Sequence, residues 1–126
     1  MIATRNFHPE TDRLLLCCCG HPDCDRRSVS QEHLNRVQVV RDVTGLPMIV
    51  TSGGRCPNHP DELHRTKPAD HQNCNAVDVA VDGWTRGNVI AAAIDAGCNA
   101  IGVADTFVHL GFRDDLPDRH VTMWVY

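Results

Sequence analysis

The stretch His71-Gln-Asn-Cys-Asn-Ala-Val-Asp-Val-Ala-Val81 joins two metal-ligand side chains to a short run of β-branched residues. Valine alternates with alanine or aspartate in residues 75–81, which predicts a strand whose three valines face the core. Asp78 then projects from the opposite face of that strand, between two alanines. A metal ion can approach the backbone closely there, so the stretch predicts both a strand and a ligand site.

A second segment, Asp105-Thr-Phe-Val-His109, predicts a neighbouring strand of the same sheet. If the two aliphatic neighbours of His109 face the core, its imidazole points to the same side as Asp78. Facing residues on adjacent strands lie within about 5 Å of each other, and His71 at the end of a long loop can close over them. Two imidazoles and one carboxylate are a complete set of protein ligands for a catalytic zinc, whose fourth position stays open for water. Each histidine taken alone has another interpretation, as a surface or hydrogen-bonded side chain.

Upstream of this region, residues 30–44 predict a helix. Ser30 suits the N-cap position, Gly45 suits the C-cap, and Pro47 prevents continuation. Four aliphatic residues fall near a helical stripe and predict its buried face, namely Leu34, Val37, Val40 and Val43.

The remaining segments predict a small α+β domain. A second helix runs from Thr85 to about Ala96, and residues 53–70 form a long loop of the kind that is often functional. The buried side of the second helix is predicted to carry Val89, Ile90, Ala93 and Ile94. Strands are predicted at 47–52, 75–81, 100–103, 107–112 and 121–126, with the last at a sheet edge. We therefore expect one domain over residues 1–126, with an antiparallel sheet of four to five strands, two main helices and zinc in a cleft on the sheet.

Composition narrows the classes of function. The chain has 126 residues and a formal net charge of −4, with no basic run, which argues against binding to a nucleic-acid backbone. The apolar run at residues 14–19 is too short for a signal-peptide core or a membrane span. We therefore expect a protein that is made in the cytoplasm without a signal peptide and has no membrane partner.

The first 29 residues form a cysteine-rich segment, and the whole chain contains seven cysteines. The run Cys17-Cys-Cys-Gly-His-Pro-Asp-Cys24 predicts a second, structural metal site, to which Cys56 or His59 can contribute. Its proposed ligands are Cys17, Cys19, His21 and Cys24. The alternatives are buried free thiols or disulfides formed after release from the cell. Elsewhere Cys98 is predicted to be a core residue, and solvent-facing positions are predicted for His8, His33, His64 and His120.

These segments resemble the zinc D-Ala-D-Ala carboxypeptidase family of peptidoglycan peptidases. That family includes D-Ala-D-Ala dipeptidases and phage L-alanyl-D-glutamate endolysins, and the hedgehog signalling domain is a structural relative. Its pattern is S-x-H-x-x-G-x-A-x-D, preceded by an S-G-x-R segment and followed by a histidine in a strand. Here Ser52-Gly-Gly-Arg-Cys-Pro57 is similar to the upstream segment, residues 71–78 to the central pattern and Thr106-Phe-Val-His109 to the last. The resemblance covers roughly residues 30–112.

The resemblance implies roles for further residues. Arg55 and Ser52 would bind the substrate, with Arg55 on its carboxylate or on the oxyanion. The family's general base lies three residues before the last histidine, where this chain has Thr106, so Asp105 is the nearest candidate. Alternatively, Asp105 is a solvated turn residue and Arg55 pairs with the acids at 61 and 62.

Two other positions depart from the family pattern. Ala69 stands where the family has serine, and Cys74 stands where it has glycine. Cys74 is either a fourth metal ligand, which would block catalysis, or a small residue in the glycine position. We favour the second interpretation, because a catalytic site needs an open position.

Three functions are compatible with the sequence. The first is a zinc peptidase that cleaves the peptidoglycan stem as a D,D-carboxypeptidase or an endolysin, encoded by a phage or prophage. Such a protein would reach the cell wall after release or as part of a virion. The second is a non-catalytic virion module that keeps the fold and contacts other virion proteins. The third is a cysteine-rich metal-binding protein whose main site is the 17–24 segment.

Overall fold

The two predicted helices are present in the computed structural model, which describes all 126 residues. Helix α1 spans Gln31–Thr44, begins at Ser30, whose side chain accepts a hydrogen bond from the His33 amide, and ends at Gly45 with φ +67°. Helix α2 spans Arg86–Asp95. Thr85 does not cap α2 with its side chain; instead the Asp82 carboxylate accepts hydrogen bonds from the amides of Trp84 and Thr85.

Five strands form one sheet, as predicted. They are β1 (Val50–Ser52), β2 (Ala76–Ala80), β3 (Ala100–Val103), β4 (Phe107–Gly111) and β5 (Thr122–Val125), in the spatial order β1-β2-β4-β3-β5. Three neighbouring pairs are antiparallel, and β5 pairs in parallel with β3 at the edge of the sheet. The prediction of a largely antiparallel sheet is therefore confirmed, with one parallel pair added. Strand β1 begins three residues later than predicted, since Pro47 cannot donate to a ladder and Ile49 is 66% exposed.

The hydrophobic core lies between the helices and one face of the sheet. Val77 and Val79 of β2 and Val108 and Leu110 of β4 are fully buried there, which confirms the predicted alternation. The buried face of α1 consists of His33, Leu34, Val37, Gln38 and Val40, and that of α2 of Val89, Ala92 and Ala93. Asp78 and His109 consequently lie on the other face of the sheet, which no helix covers.

Three burial predictions on the helices are wrong. Val43 is 62% exposed and Ile94 is 40% exposed, because each lies in the last turn of its helix, past the core cluster. His33, predicted to face solvent, is 1% exposed. It precedes Val37 by four residues and so shares the buried face of α1, where its Nε2 donates to the carbonyl of Leu110 at 3.0 Å. Burial lowers the pKa of His33 to about 4, so the ring is neutral.

The cysteine-rich N-terminal segment packs onto the same core. Phe7, Leu15 and Val29 belong to the one cluster of buried hydrophobic residues, and Leu16 pairs with Ser28 in an antiparallel bridge. The Cys98 side chain is 1% exposed within that cluster, as predicted. No helix has the length and apolarity that a membrane span requires.

Candidate metal centre

The pairing of β2 with β4 places Asp78 directly opposite His109. His71, which follows the long loop, completes a buried group in which one ligand atom from each of the three residues lies within 4.8 Å of the others. Asp78 Oδ1 lies 3.2 Å from His71 Nε2 and 3.1 Å from His109 Nδ1. The structure thus brings together all three residues that the sequence predicts as ligands.

The hydrogen bonding of His71 leaves a lone pair directed at Asp78. Its Nδ1 donates to the carbonyl of Gly53 at 2.7 Å, and a carbonyl oxygen can only accept. In the neutral ring Nε2 therefore carries no proton, although it faces a carboxylate oxygen. Two lone pairs in contact repel each other unless a proton or a cation lies between them, so this contact suits a metal ion.

His109 likewise has a ring nitrogen whose lone pair faces a carboxylate oxygen. Both of its ring nitrogens face carboxylates, with Nε2 at 2.9 Å from Asp70 Oδ2 and Nδ1 at 3.1 Å from Asp78 Oδ1. A neutral imidazole has one donor, so one of the two contacts lacks a proton. If Nε2 donates to Asp70, the Nδ1 lone pair points at the same oxygen as His71 Nε2. One divalent ion satisfies both rings, and the donor set of two imidazoles and a carboxylate fits zinc.

Asp70 holds His109 in this orientation. Its two oxygens accept hydrogen bonds from the Arg113 guanidinium at 2.8 and 3.1 Å as well as from His109. A carboxylate on the far nitrogen of a ligand histidine fixes its tautomer and raises its basicity. Asp70 therefore positions His109, and Arg113 positions Asp70.

The pKa values of Asp70, Asp78 and His109 reflect the same contacts. Burial alone raises the pKa of the Asp70 carboxyl, but hydrogen bonds from His109 and Arg113 outweigh it and lower the pKa to about 2. Burial also opposes ionisation of Asp78, yet His109 and His71 hold its pKa well below the usual range. The pKa of His109 is lowered by burial and raised by Asp70 and Asp78, and the net shift is upward. Both carboxylates are thus ionised over the physiological range.

Two backbone features place His71 over the sheet. An added Cβ on Gly53 would lie 2.4 Å from the backbone oxygen of Leu15, so only glycine lets the Gly53 carbonyl approach the imidazole. Cys74 has φ +62°, and its amide donates to the carbonyl of His71, which closes the turn before β2. The left-handed conformation explains why the family pattern has glycine at this position. Cys74 lies outside the group of three ligands.

Arg55 is mostly committed to contacts within the protein. Its Nε donates to Ser52 Oγ at 3.0 Å, Nη1 contacts Glu62 at 3.3 Å and Nη2 contacts Asp78 Oδ2 at 3.4 Å. A longer contact of 3.8 Å joins Arg55 to Asp61. Arg55 and Ser52 thus lie beside the metal group, where the guanidinium orients Asp78, and the ion pairs considered as the alternative are present.

Asp105 lies apart from the metal group. It sits in an exposed turn before β4, four residues from His109, and its carbonyl accepts a hydrogen bond from Arg86. Four residues of extended chain span about 13 Å. Its role as the proton acceptor stays a prediction that the geometry does not favour.

Two acidic residues that the sequence did not predict as members of the site face it instead. Glu62 and Asp70 line a cavity of about 230 Å³ together with both ligand histidines. The remaining residues of its wall are Arg65, Ala69, Arg113, Trp124 and Tyr126. Asp70 immediately precedes a ligand, which was a usable signal. Glu62 ends a 3-10 helix of three residues, Pro60–Glu62, which is too short for periodicity to predict the direction of a side chain.

The predicted second metal site is rearranged. Cys17, Cys19 and Cys24 come together with Cys56, the cysteine that follows Arg55. His21 is exposed, and its Nδ1 accepts a hydrogen bond from the Asp23 amide.

A buried group of two histidines and one aspartate on the face of the sheet opposite the helices defines a candidate zinc hydrolase. The sequence model of the peptidase M15 family matches residues 8–111, and the chain therefore belongs to this family of zinc-dependent metallopeptidases of the D-Ala-D-Ala carboxypeptidase type. The match begins at residue 8 and so includes the cysteine-rich segment. Comparisons with curated proteins and with solved structures each gave no significant match.

Proposed function

We propose that the protein is a zinc-dependent peptidase that cleaves a peptide bond in the stem of peptidoglycan. The observation that carries this proposal is the convergence of His71 Nε2, His109 Nδ1 and Asp78 Oδ1 beside a cavity of about 230 Å³. Membership of the peptidase M15 family supports the reaction class.

The chemistry divides between the ion and the cavity wall. A zinc ion held by His71, Asp78 and His109 would supply a Lewis acid for the scissile carbonyl and would lower the pKa of a water molecule towards about 7. A nearby carboxylate must accept the proton of that water and pass it to the leaving amine. Of the two carboxylates in the wall, Asp70 is held by three hydrogen bonds of 2.8 to 3.1 Å. Glu62 has only contacts of 3.3 Å, to Arg55, Arg65 and Gln72, so we assign proton transfer to Glu62.

Charge favours an anionic group of the substrate in the cavity. In its wall the positive charges of Arg65 and Arg113 balance the negative charges of Glu62 and Asp70. A divalent ion carries two positive charges and Asp78 only one negative charge, so the cavity with its ion has a net positive charge. Arg113 is committed bidentately to Asp70, whereas Arg65 makes one ion pair and its side chain is 39% exposed. Arg65 is therefore the cation that can bind a substrate carboxylate. A peptidoglycan stem ends in such a carboxylate, which favours cleavage next to the terminal D-Ala, as in a D,D-carboxypeptidase.

The test combines metal content with turnover. Purified protein should contain zinc that is lost in His71→Ala and Asp78→Ala, and His120→Ala, which changes an exposed histidine away from the site, should retain it. Zinc-loaded protein should release D-Ala from muropeptides with pentapeptide stems, as followed by mass spectrometry. Zinc that survives both ligand substitutions would remove the metal site.

The same assay separates the alternatives. Cleavage inside the stem without release of D-Ala would replace the carboxypeptidase by an endopeptidase. Zinc-loaded protein that leaves every muropeptide intact would favour the non-catalytic virion module.

A further inference from the structure

Four cysteines from two distant parts of the chain meet beside the site described above. Cys17, Cys19 and Cys24 belong to the N-terminal segment, and Cys56 lies in the loop after β1. Their sulfur atoms all lie within 4.8 Å of one another, and all four thiols are free. The chain thus places four soft ligands around one point, although Cys56 follows Cys24 by 32 positions in the sequence.

The spacing fits a tetrahedral ion. Four thiolates at about 2.3 Å from a zinc ion lie about 3.8 Å from each other. Cys19 Sγ lies 3.6 Å from Cys56 Sγ, which is far longer than a disulfide and near the edge of such a tetrahedron. A backbone amide, that of Arg26, also donates to Cys24 Sγ at 3.4 Å. An amide donor stabilises a thiolate rather than a thiol, as a metal ligand requires.

Simple core packing does not account for the cluster. Cys17 and Cys56 are buried, but Cys19 and Cys24 are only partly buried and lie at the protein surface. None of the four belongs to the hydrophobic core cluster, whose only cysteine is Cys98. The positions of the four cysteines therefore have another cause than packing in the hydrophobic core.

Around the cluster, the backbone of the N-terminal segment lies close to the backbone of the loop after β1. Cys17 and Arg27 are joined by a hydrogen bond that closes the N-terminal segment into a hairpin, and the Gly54 amide donates to the carbonyl of Leu15. An added Cβ on Gly54 would lie 2.2 Å from the backbone oxygen of Arg27. The hairpin therefore contacts the Gly53–Cys56 loop backbone to backbone, and the four sulfur atoms lie at this junction.

We propose that Cys17, Cys19, Cys24 and Cys56 bind a second zinc ion, which fastens the N-terminal hairpin to the loop that carries Gly53 and Arg55. Four thiolate ligands leave no open position, so the ion is structural and not catalytic. Gly53 accepts the hydrogen bond of His71, and Arg55 contacts Asp78, so this ion supports the geometry of the peptidase site without touching substrate.

The experiment uses the full chain, reduced and handled without oxygen. Elemental analysis should find two zinc ions per chain in the unmodified protein and one in Cys56→Ser. The matched control is Cys18→Ser, which changes an exposed cysteine outside the cluster and should retain two. After replacement by cobalt, the thiolate-to-metal charge-transfer band should persist in the His71→Ala/Asp78→Ala double variant and vanish in Cys56→Ser. The double variant separates this site from the peptidase site.

A second measurement tests the proposal on the unmodified protein and so does not depend on whether Cys56→Ser folds. Zinc should protect the four cluster thiols of the unmodified protein from alkylation and leave Cys18 reactive. A single zinc per chain with no thiolate band would overturn the proposal, as would equal alkylation of Cys19 with and without zinc.

Discussion

Replacement of Asp70 by asparagine tests whether this carboxylate positions the ligand His109. The substitution keeps the size of the side chain but removes the charge that faces His109 Nε2 and the Arg113 guanidinium. The loss of such a partner of a ligand histidine typically costs 10- to 100-fold in metal affinity, or roughly 1.4–2.7 kcal/mol. We therefore expect Asp70→Asn to bind zinc about 10- to 100-fold more weakly, as measured by competition with a chromogenic chelator.

The pKa of Asp70 also predicts how much the same substitution changes the free energy of unfolding. The pKa is lowered from the ordinary value of 3.8 to about 2, which corresponds to a stabilisation of roughly 2.4 kcal/mol. Because the folded-state pKa is the lower one, this stabilisation is present above about pH 4 and is lost as the pH falls towards 2. Metal-free Asp70→Asn should therefore be less stable to urea by about 2 kcal/mol at pH 7, and its deficit should shrink as the pH falls through that window.

The control for both measurements is Asp118→Asn, which removes an equal charge from an exposed loop. It should match the unmodified protein in zinc affinity and in the free energy of unfolding. Wild-type zinc affinity in Asp70→Asn would refute the positioning role, whatever the variant does to stability.

Further substitutions test individual residues. Glu62→Gln should lower kcat by about 10²-fold with zinc retained, while Asp105→Asn stays active; the reverse result would restore Asp105 as the base. Arg65→Gln should raise KM for pentapeptide stems about 10-fold with little change in kcat, and an unchanged KM would exclude it from carboxylate binding. Cys74→Gly should raise the free energy of unfolding by about 1 kcal/mol, because glycine relieves the left-handed backbone. Calorimetry with Cys74→Ala, which retains Cβ and should show no such gain, checks that cause.

The alternation of residue types made the sheet and the ligands predictable. Val77 and Val79 must face the core, and this requirement alone sets the direction of Asp78. The same reasoning on β4 orients His109, and the antiparallel register then brings the two side chains together. Periodicity could define this part of the site because each ligand lies on a regular strand.

The rest of the site lies where periodicity gives no information. Glu62 and Asp70 belong to the segment between β1 and β2, whose only helix is a single 3-10 turn, Pro60–Glu62, and both pair with distant arginines, Arg55 and Arg113. Cys56 likewise meets the N-terminal cysteines only through tertiary contacts. Burial of His33 was missed for a different reason: its polar neighbours concealed a position that the helical repeat shares with Val37.

If both sites bind zinc as proposed, the segment from Ser52 at the end of β1 to Cys56 makes them thermodynamically dependent on each other. Within five residues it supplies the carbonyl that orients His71, the guanidinium that contacts Asp78 and the fourth sulfur of the cysteine cluster. If the ion at the cysteines raises the affinity of the peptidase site for zinc by some factor, linkage requires that zinc at the peptidase site raise the affinity of the cysteines by the same factor. The supply of zinc and the oxidation state of four thiols would then control hydrolysis through one short piece of backbone.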